Sequence, residues 1–283
     1  MPRAILLAHC PDQPGLVRAL ASFIAENGGN MLQFDQHVDN LEGEFFMRAE
    51  WDLEKFVIPR ADIPVFIRAL AEPRRMTWSL HFTDVRHRLA LFVSKDSHCL
   101  YDLLSRHESG ELDADIPLVV SNHDILRPAA ERFSIPFHRI EVTREGRTAA
   151  ELRQQALMEE HRIDTIVLAR YMQILSDDFA GAWANSIINI HHSFLPAFPG
   201  AKPYHSAHAR GVKIIGATSH YVTGDLDEGP IIEQDVIRVT HKHTVADLIR
   251  QGRDLEKIVL SRAVNWHVQR RVLAFKNKTV VFA

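Results

Sequence analysis

Apolar and polar positions in the first part of the chain follow the order strand, helix, strand, strand, helix, strand. Residues 4–8 form a short apolar run that is typical of a buried strand. Leu16, Leu20 and Ile24 then recur at the spacing of one helix face. The remaining elements are predicted at residues 31–38, 44–52, 63–71 and 76–82. This order predicts a ferredoxin-like βαββαβ domain over residues 1–83.

A second alternation of strands and helices follows a short polar segment at residues 84–88, which is the natural linker. Apolar runs predict strands at 89–93, 116–121, 137–140, 165–169 and 187–190. Because helical segments separate these strands, the sheet should be mainly parallel with helices on both faces. Residues 89–283 are therefore expected to form a Rossmann-like α/β domain, in which functional sites collect at the carboxyl ends of the strands.

The composition is that of an ordinary globular protein, with 46% apolar and 24% charged residues. A formal net charge of -3 gives no global attraction to nucleic acid or to an anionic membrane. Cys10 and Cys99 lie far apart in sequence and indicate no disulfide framework, which favours a reducing, cytoplasmic location. The chain starts with too short an apolar run for a signal peptide, and no run approaches the roughly 20 residues of a membrane span.

The strongest candidate chemistry lies at the end of the last predicted strand. Asn189 and His191 are two positions apart, so their side chains share one face of that strand, and alternation sends His192 to the other face. An amide and an imidazole can stabilise an oxyanion or move a proton, and Asp227 can orient a water molecule. This set suits attack on a carbonyl carbon. The alternative interpretation is that Asn189 caps a loop and His191 is a structural histidine.

The 17 histidines do not indicate a metal site. Zinc sites usually combine closely spaced histidine, cysteine and carboxylate ligands. His192 adjoins His191, but the histidines further along the chain are scattered and form no such set. We therefore expect neither a metal nor a cofactor.

The segment Asn-Ile-His-His-Ser-Phe-Leu-Pro at 189–196, followed by Leu-Asp-Glu-Gly-Pro at 226–230, resembles the active-site signature of the 10-formyltetrahydrofolate formyltransferase family. The resemblance is strongest to the members that pass the formyl group to water. It implies hydrolysis of 10-formyltetrahydrofolate to formate and tetrahydrofolate, with formate available to purine synthesis. Asn189 and His191 would then be oxyanion donors, and Asp227 would organise the water. Transfer of the formyl group to an amine is the alternative.

The same resemblance implies that two segments bind the folate. The first follows the strand predicted at 165–169 and would read the pterin edge with backbone groups, while apolar side chains sandwich the ring. The second precedes Asp227, where a glycine allows the backbone to approach a ligand closely. The candidate residues are Met172, Gln173, Ile174, Leu175, Gly224 and Asp225. A helix start with core side chains, and a plain loop glycine, are the alternative interpretations.

Family members that use glycinamide ribonucleotide carry a glycine-rich loop after the first strand of this domain, which cradles the phosphate. The corresponding residues here, 94–98, contain no glycine and place Asp96 where the phosphate would lie. Phosphate binding is therefore not expected, and this favours water as the acceptor.

Residues 1–83 resemble an ACT domain, a small fold that often binds amino acids and pairs across a dimer. The resemblance implies an amino-acid effector such as glycine or methionine, and we expect it near Asp12, Gly15 and Asn30. A helix amino terminus with free N–H groups favours a carboxylate, and Asp12 could face the ammonium group. We therefore expect a homo-oligomer. The alternative is that this domain only joins subunits.

Overall fold

The computed structural model describes residues 2–196 and 203–283. The chain folds into two compact units. The first unit comprises Met1–Arg86, Gln269–Phe275 and Val280–Ala283. The second unit comprises His87–Val268 and Lys276–Thr279.

This division differs in two places from the expected linker at 84–88 and second domain at 89–283. His87 is already buried in a strand of the second unit, so that unit begins inside the expected linker. Most of the carboxyl-terminal tail belongs to the first unit, because Leu273 and Phe282 form a buried apolar cluster with Leu7 and Phe46. Burial of apolar side chains that lie far apart in sequence brings the tail to the first unit, and local sequence patterns do not predict it.

A four-stranded antiparallel sheet with two helices forms most of the first unit. The strands are β1 (Arg3–Pro11), β2 (Met31–Asp39), β3 (Glu44–Asp52) and β4 (Thr77–Phe82), and the helices are α1 (Leu16–Glu26) and α2 (Ile63–Ala71). The strand order is β2-β3-β1-β4. Leu16, Leu20 and Ile24 on one face of α1 are buried in a core with Leu6 and Trp51. The predicted order of elements is confirmed.

The second unit contains a seven-stranded sheet with the order β11-β10-β9-β8-β5-β6-β7. Its strands are β5 (His87–Val93), β6 (Ala114–Ser121), β7 (Phe137–Arg139), β8 (Thr165–Leu168), β9 (Ile187–His191), β10 (Ile214–Tyr221) and β11 (Ile231–Arg238). Strands β5 to β9 pair in parallel, whereas β10 and β11 are antiparallel additions beside β9. The mainly parallel α/β fold is confirmed. A further pair of strands, β12 (Val272–Phe275) and β13 (Lys278–Val281), follows at the end of the chain.

The described residues of the second unit form six helices: α3 (His98–Glu108), α4 (Arg127–Arg132), α5 (Arg147–Glu160), α6 (Asp177–Ala182), α7 (Pro203–Arg210) and α8 (Val245–Val268). Sequence patterning missed α7 and the strands β10 and β11. The reason for the strands is that glycine, serine and histidine interrupt the apolar run of β10, and β11 is a largely polar edge strand.

The central strand β5 shows why this sheet is a firm support. Each of residues 89–93 is 0% exposed, because parallel sheets of this kind are covered on both faces. The long helix α8 buries Leu248, Leu255 and Val259, and it also buries the carboxylate of Glu256.

None of the described helices is both long and apolar enough to cross a membrane.

Gly229 is where the loop between β10 and β11 passes closest to the backbone of β10. A Cβ atom at this position would collide with the carbonyl oxygen of Tyr221, which is backbone and cannot turn aside. We therefore expect Gly229→Ala to lower the free energy of unfolding by about 1–3 kcal/mol, as measured by urea denaturation. Gly181→Ala is the matched control, since nothing lies within 4 Å of a Cβ there. Equal stability of the two variants would contradict the close approach.

Candidate active site

A pocket of about 340 Å³ opens in the second unit where three chain segments meet. The segments are the chain after β8, the end of β9 with the two residues His191 and His192, and the chain from His220 to Asp227. The strand order places β8, β9 and β10 side by side, so their ends bring residues far apart in sequence to one site. Such a crevice beside strand ends is where α/β sheets usually bind ligands.

The structure places Asn189, His191 and Asp227 together in this pocket. His191 Nδ1 lies 3.1 Å from Asp227 Oδ2, within hydrogen-bond distance. In the antiparallel pairing of β9 with β10, Asn189 lies opposite His220, and the Asn189 Nδ2 atom is 3.2 Å from His220 Nε2. The three predicted residues are thus joined through a fourth, His220.

Asp227 holds its position through an unusual backbone conformation and two imidazole rings. Its φ of 58° lies in the left-handed region, which aspartate tolerates better than most residues. Burial raises the pKa of the Asp227 carboxyl, but the hydrogen bonds and charges of His191 and His220 outweigh burial and hold this pKa well below its ordinary value. Asp227 is therefore a carboxylate at neutral pH.

His191 presents a free nitrogen to the pocket. Its Nδ1 faces Asp227, and its Nε2 is buried without a hydrogen-bond partner among the described residues. A carboxylate at Nδ1 fixes the tautomer with the proton on Nδ1, which leaves a lone pair on Nε2. A buried, unpaired polar atom is costly unless a ligand or water pairs with it, so this nitrogen is the best candidate for proton transfer.

His220 is a site residue that the sequence pattern did not identify. It is 2% exposed, its Nδ1 donates to the carbonyl of Tyr221 at 2.9 Å, and its Nε2 lies 3.6 Å from Asp227 Oδ1. Its Nε2 therefore faces both the Asn189 amide nitrogen and the Asp227 carboxylate. The available signal was a histidine at the end of a strand, one short loop before Asp227, but β10 itself was not predicted.

The expectation that His192 points away from the site is wrong. Strand β9 ends at His191, so the alternation of side chains does not continue to the next residue. His192 also lines the pocket, and its ring stacks on that of His191 with centroids 5.0 Å apart and planes inclined by 22°. Its Nδ1 lies 2.8 Å from Arg170 Nη1.

The candidate folate-binding residues all line the same pocket as the three polar residues. They are Met172, Gln173, Ile174, Leu175, Gly224 and Asp225. Residues 171–176 are irregular, and helix α6 begins only after the Ser176 cap, whose Oγ accepts from Phe179 N at 3.2 Å. Met172 and Ile174 are 55% and 62% exposed. The alternative of a helix start with core side chains therefore does not hold at these positions.

The three candidate effector residues lie in the first unit, and all are exposed. Gly15 caps α1 with a left-handed φ of 91°, and no side chain caps that helix start. The backbone N–H of Asp12 donates to Gly43 at 2.8 Å, and the carbonyl of Asn30 accepts from Asp52 N at 3.0 Å. These contacts fix the loops that carry Asp12 and Asn30.

Among the described residues, His98, Cys99 and Glu256 have atoms near enough to one another to hold a metal ion. Their chemistry does not favour one. Burial, followed by the charge of Glu256, raises the pKa of the Cys99 thiol, which opposes the thiolate that metals bind. Glu256 already accepts from His98 at 2.8 Å and lies 3.5 Å from Arg170, whose positive charge repels a cation.

The chain is similar to known proteins in both sequence and structure. Residues 87–264 match the family model described as Formyl transferase. The chain is 55% identical to formyltetrahydrofolate deformylase of Synechocystis, over 99% of this chain and 98% of that protein. A crystal structure of a formyltetrahydrofolate deformylase from Pseudomonas syringae pv. tomato has a TM-score of 0.97 at 44% identity, covering 100% and 95% of the two chains. A glycinamide ribonucleotide transformylase from Symbiobacterium toebii has a TM-score of 0.67 at 27% identity, covering 72% and 98%.

His220 is expected to hold the site together, since it contacts both Asn189 and Asp227. His220→Ala leaves the half-buried Asn189 amide without this partner and opens a cavity at the buried His220 position, so it should lower the free energy of unfolding by about 1–3 kcal/mol. Urea denaturation measures the change. His208→Ala, at an exposed position of α7, is the control. If both variants unfold at the same urea concentration, His220 does not anchor the site.

Proposed function

The chain belongs to the formyl transferase family, and we infer from this membership that it hydrolyses 10-formyltetrahydrofolate to formate and tetrahydrofolate. Two relatives that match almost the whole chain, at 55% and 49% identity, carry the name of that hydrolase. The observation that carries the inference is the pairing of His191 with Asp227 beside Asn189 in one pocket. This arrangement can activate water and stabilise the resulting oxyanion.

The proposed reaction assigns one role to each of the three residues. Water attacks the formyl carbon while His191 Nε2 accepts a proton, and Asp227 stabilises the imidazolium that forms. The second N–H of the Asn189 amide, the one not directed at His220, donates to the oxyanion of the tetrahedral intermediate. His191 then returns the proton to the folate N10 as the carbon–nitrogen bond breaks. Formate and tetrahydrofolate leave, and neither a metal nor a cofactor is required.

The segment after β8 is proposed to form one wall of the folate site. Met172 and Ile174 offer exposed apolar surface inside the pocket, which suits the flat faces of a pterin ring. Backbone groups of residues 173–175 are free of helical hydrogen bonding and suit the donor and acceptor edge of the ring. Gly224 and Asp225 would close the opposite wall.

Transfer of the formyl group to glycinamide ribonucleotide is less well supported. The loop after β5 contains no glycine, and Asp96 places negative charge where a phosphate would bind. Arg170 and Arg253 bind this carboxylate at 3.2 and 3.1 Å, so these two guanidinium groups are engaged within the protein. The Ser94 hydroxyl is also engaged, since it donates to Asn122 and accepts from Met172 N.

The first unit is proposed to be an ACT-like domain that binds an amino acid and joins copies of the chain. The uncapped start of α1 at Gly15 supports this proposal, because free backbone N–H groups attract a carboxylate.

We also propose that the protein is cytoplasmic, where the formate would serve purine synthesis. The two cysteines, Cys10 and Cys99, are both buried and free, which suits a reducing compartment.

Formate release from 10-formyltetrahydrofolate should proceed without any amine acceptor, as measured by folate absorbance together with formate detection.

Asp227→Asn keeps the shape of the side chain and the tolerance of a left-handed backbone but removes the charge, so it should lower kcat by at least about 100-fold. Glu228→Gln is the matched control, because the neighbouring Glu228 is exposed and does not line the pocket. Turnover only with an added amine would favour a transferase, and full activity of Asp227→Asn would remove Asp227 from the mechanism.

Glycine or methionine should bind to the first unit of the full-length protein, with heat detected by titration calorimetry. Asp12→Asn should weaken this binding because it removes the charge proposed to face the ammonium group. Asp62→Asn, at the exposed start of α2, is the control. Regulation further requires that the amino acid changes the rate of formate release. If neither amino acid gives heat, the first unit serves only to join subunits.

A further inference from the structure

Arg170 occupies a backbone conformation that its residue type disfavours. It is the second residue after β8 and has a φ of 65°, in the left-handed region where a side chain is strained and glycine is not. Its side chain is nevertheless only 13% exposed. Strain of this kind persists only where surrounding contacts hold it, and it is concentrated at functional sites. The contacts of the Arg170 guanidinium group therefore indicate what this residue does in the site.

The Arg170 side chain lines the pocket, and its guanidinium group is held between two carboxylates. Arg170 Nη2 lies 3.2 Å from Asp96, and Nε lies 3.5 Å from Glu256. Glu256 is 1% exposed and also accepts from His98 at 2.8 Å and from the Tyr204 hydroxyl at 2.7 Å. Loop 94–98, α7 and α8 thus all contribute to fixing one arginine.

The remaining nitrogen of this arginine, Nη1, faces His192. It lies 2.8 Å from His192 Nδ1, and because a guanidinium can only donate, Nδ1 must be the unprotonated nitrogen. The ring proton of His192 is then on Nε2. Burial first, and then the charges of Arg170 and His191, lower the pKa of His192 to about 4. His192 is therefore neutral at physiological pH, directly stacked on His191.

We propose that Arg170 is a positioning residue that keeps His192 neutral in the Nε2–H tautomer, so that His192 supports the His191 ring without competing for its proton. The inference rests on the proposed role of His191 in proton transfer. A second cation stacked at 5.0 Å would repel the proton that His191 must carry during the reaction.

The charges around His192 fix the sign of the expected pH effect. Arg170 and His191 oppose its protonation, whereas Glu256 and Asp227 favour it, and the neutral Tyr204 ring lies 6.0 Å away. Removal of Arg170 takes away the largest opposing charge and leaves the Glu256 carboxylate with one positive neighbour fewer. The pKa of His192 should therefore rise, and the ring should become charged as the pH falls below neutrality.

Arg170→Gly is the informative substitution because it removes the side chain and also relieves the left-handed backbone. Arg162→Gly is its matched control, since Arg162 is exposed, has a φ of 49° and lies at the end of α5 away from the pocket. His192→Phe keeps a stacked ring without nitrogens. It also identifies the His192 signals in ¹⁵N NMR spectra, because they vanish in this variant.

In the wild type we expect an unprotonated Nδ1 and a protonated Nε2 on His192, with no titration between pH 8 and pH 5.5. In Arg170→Gly the ring should titrate within that range. The kcat of this variant should fall by about 10- to 100-fold at pH 6 and by less at pH 8. Adding His192→Phe to Arg170→Gly should remove the additional pH dependence, because the titrating ring is gone. Arg162→Gly should match the wild type.

A protonated Nδ1 on His192 in the wild type would overturn the inference, as would identical pH profiles of Arg170→Gly and Arg162→Gly. If Arg170→Gly does not fold, the wild-type tautomer and the pH profile of His192→Phe still test the inference. The NMR result does not require turnover. Absence of formate release by the wild type would therefore refute the proposed function while leaving the Arg170–His192 pairing to be judged by itself.

Discussion

The contact of the Asp227 carboxylate with His191 is the interaction on which the site depends. Asp227 reaches it from a loop in a left-handed conformation, and His191 reaches it from the end of β9. The two residues are 36 positions apart, so nothing local brings them together. The antiparallel pairing of β10 with β9 sets His220 opposite Asn189, and the loop after β10 turns back to place Asp227 against His191.

This constraint makes one hydrogen-bonded group out of residues from two strands and a loop. His220 bonds to its own strand through Tyr221, directs its other nitrogen to Asn189, and lies beside Asp227. A carboxylate, two rings and an amide are therefore fixed relative to one another before any ligand arrives. Preorganised groups of this kind need little rearrangement during a reaction, which is the main source of electrostatic catalysis.

Opposite charges flank the stacked pair of histidines. Asp227 lies against His191, whereas Arg170 lies against His192, whose pKa is lowered by burial and by the charge of that arginine. Two adjacent residues of the same type thus have neighbours of opposite charge. Arg170 is also bound by Asp96, so one of the ion pairs that hold this arginine lies in the loop after β5.

The sequence by itself determined the element order of the first unit, the α/β class and the candidate residues Asn189, His191 and Asp227, because hydrophobic periodicity and strand-end motifs are local properties. Its pattern did not reveal β10, whose apolar run is interrupted, and for that reason His220 was missed. Only the tertiary structure decided that β9 ends at His191, that His192 stacks on it, and that the tail is buried with the first unit. These features depend on strand termination, register and burial between distant segments, which no local spacing encodes.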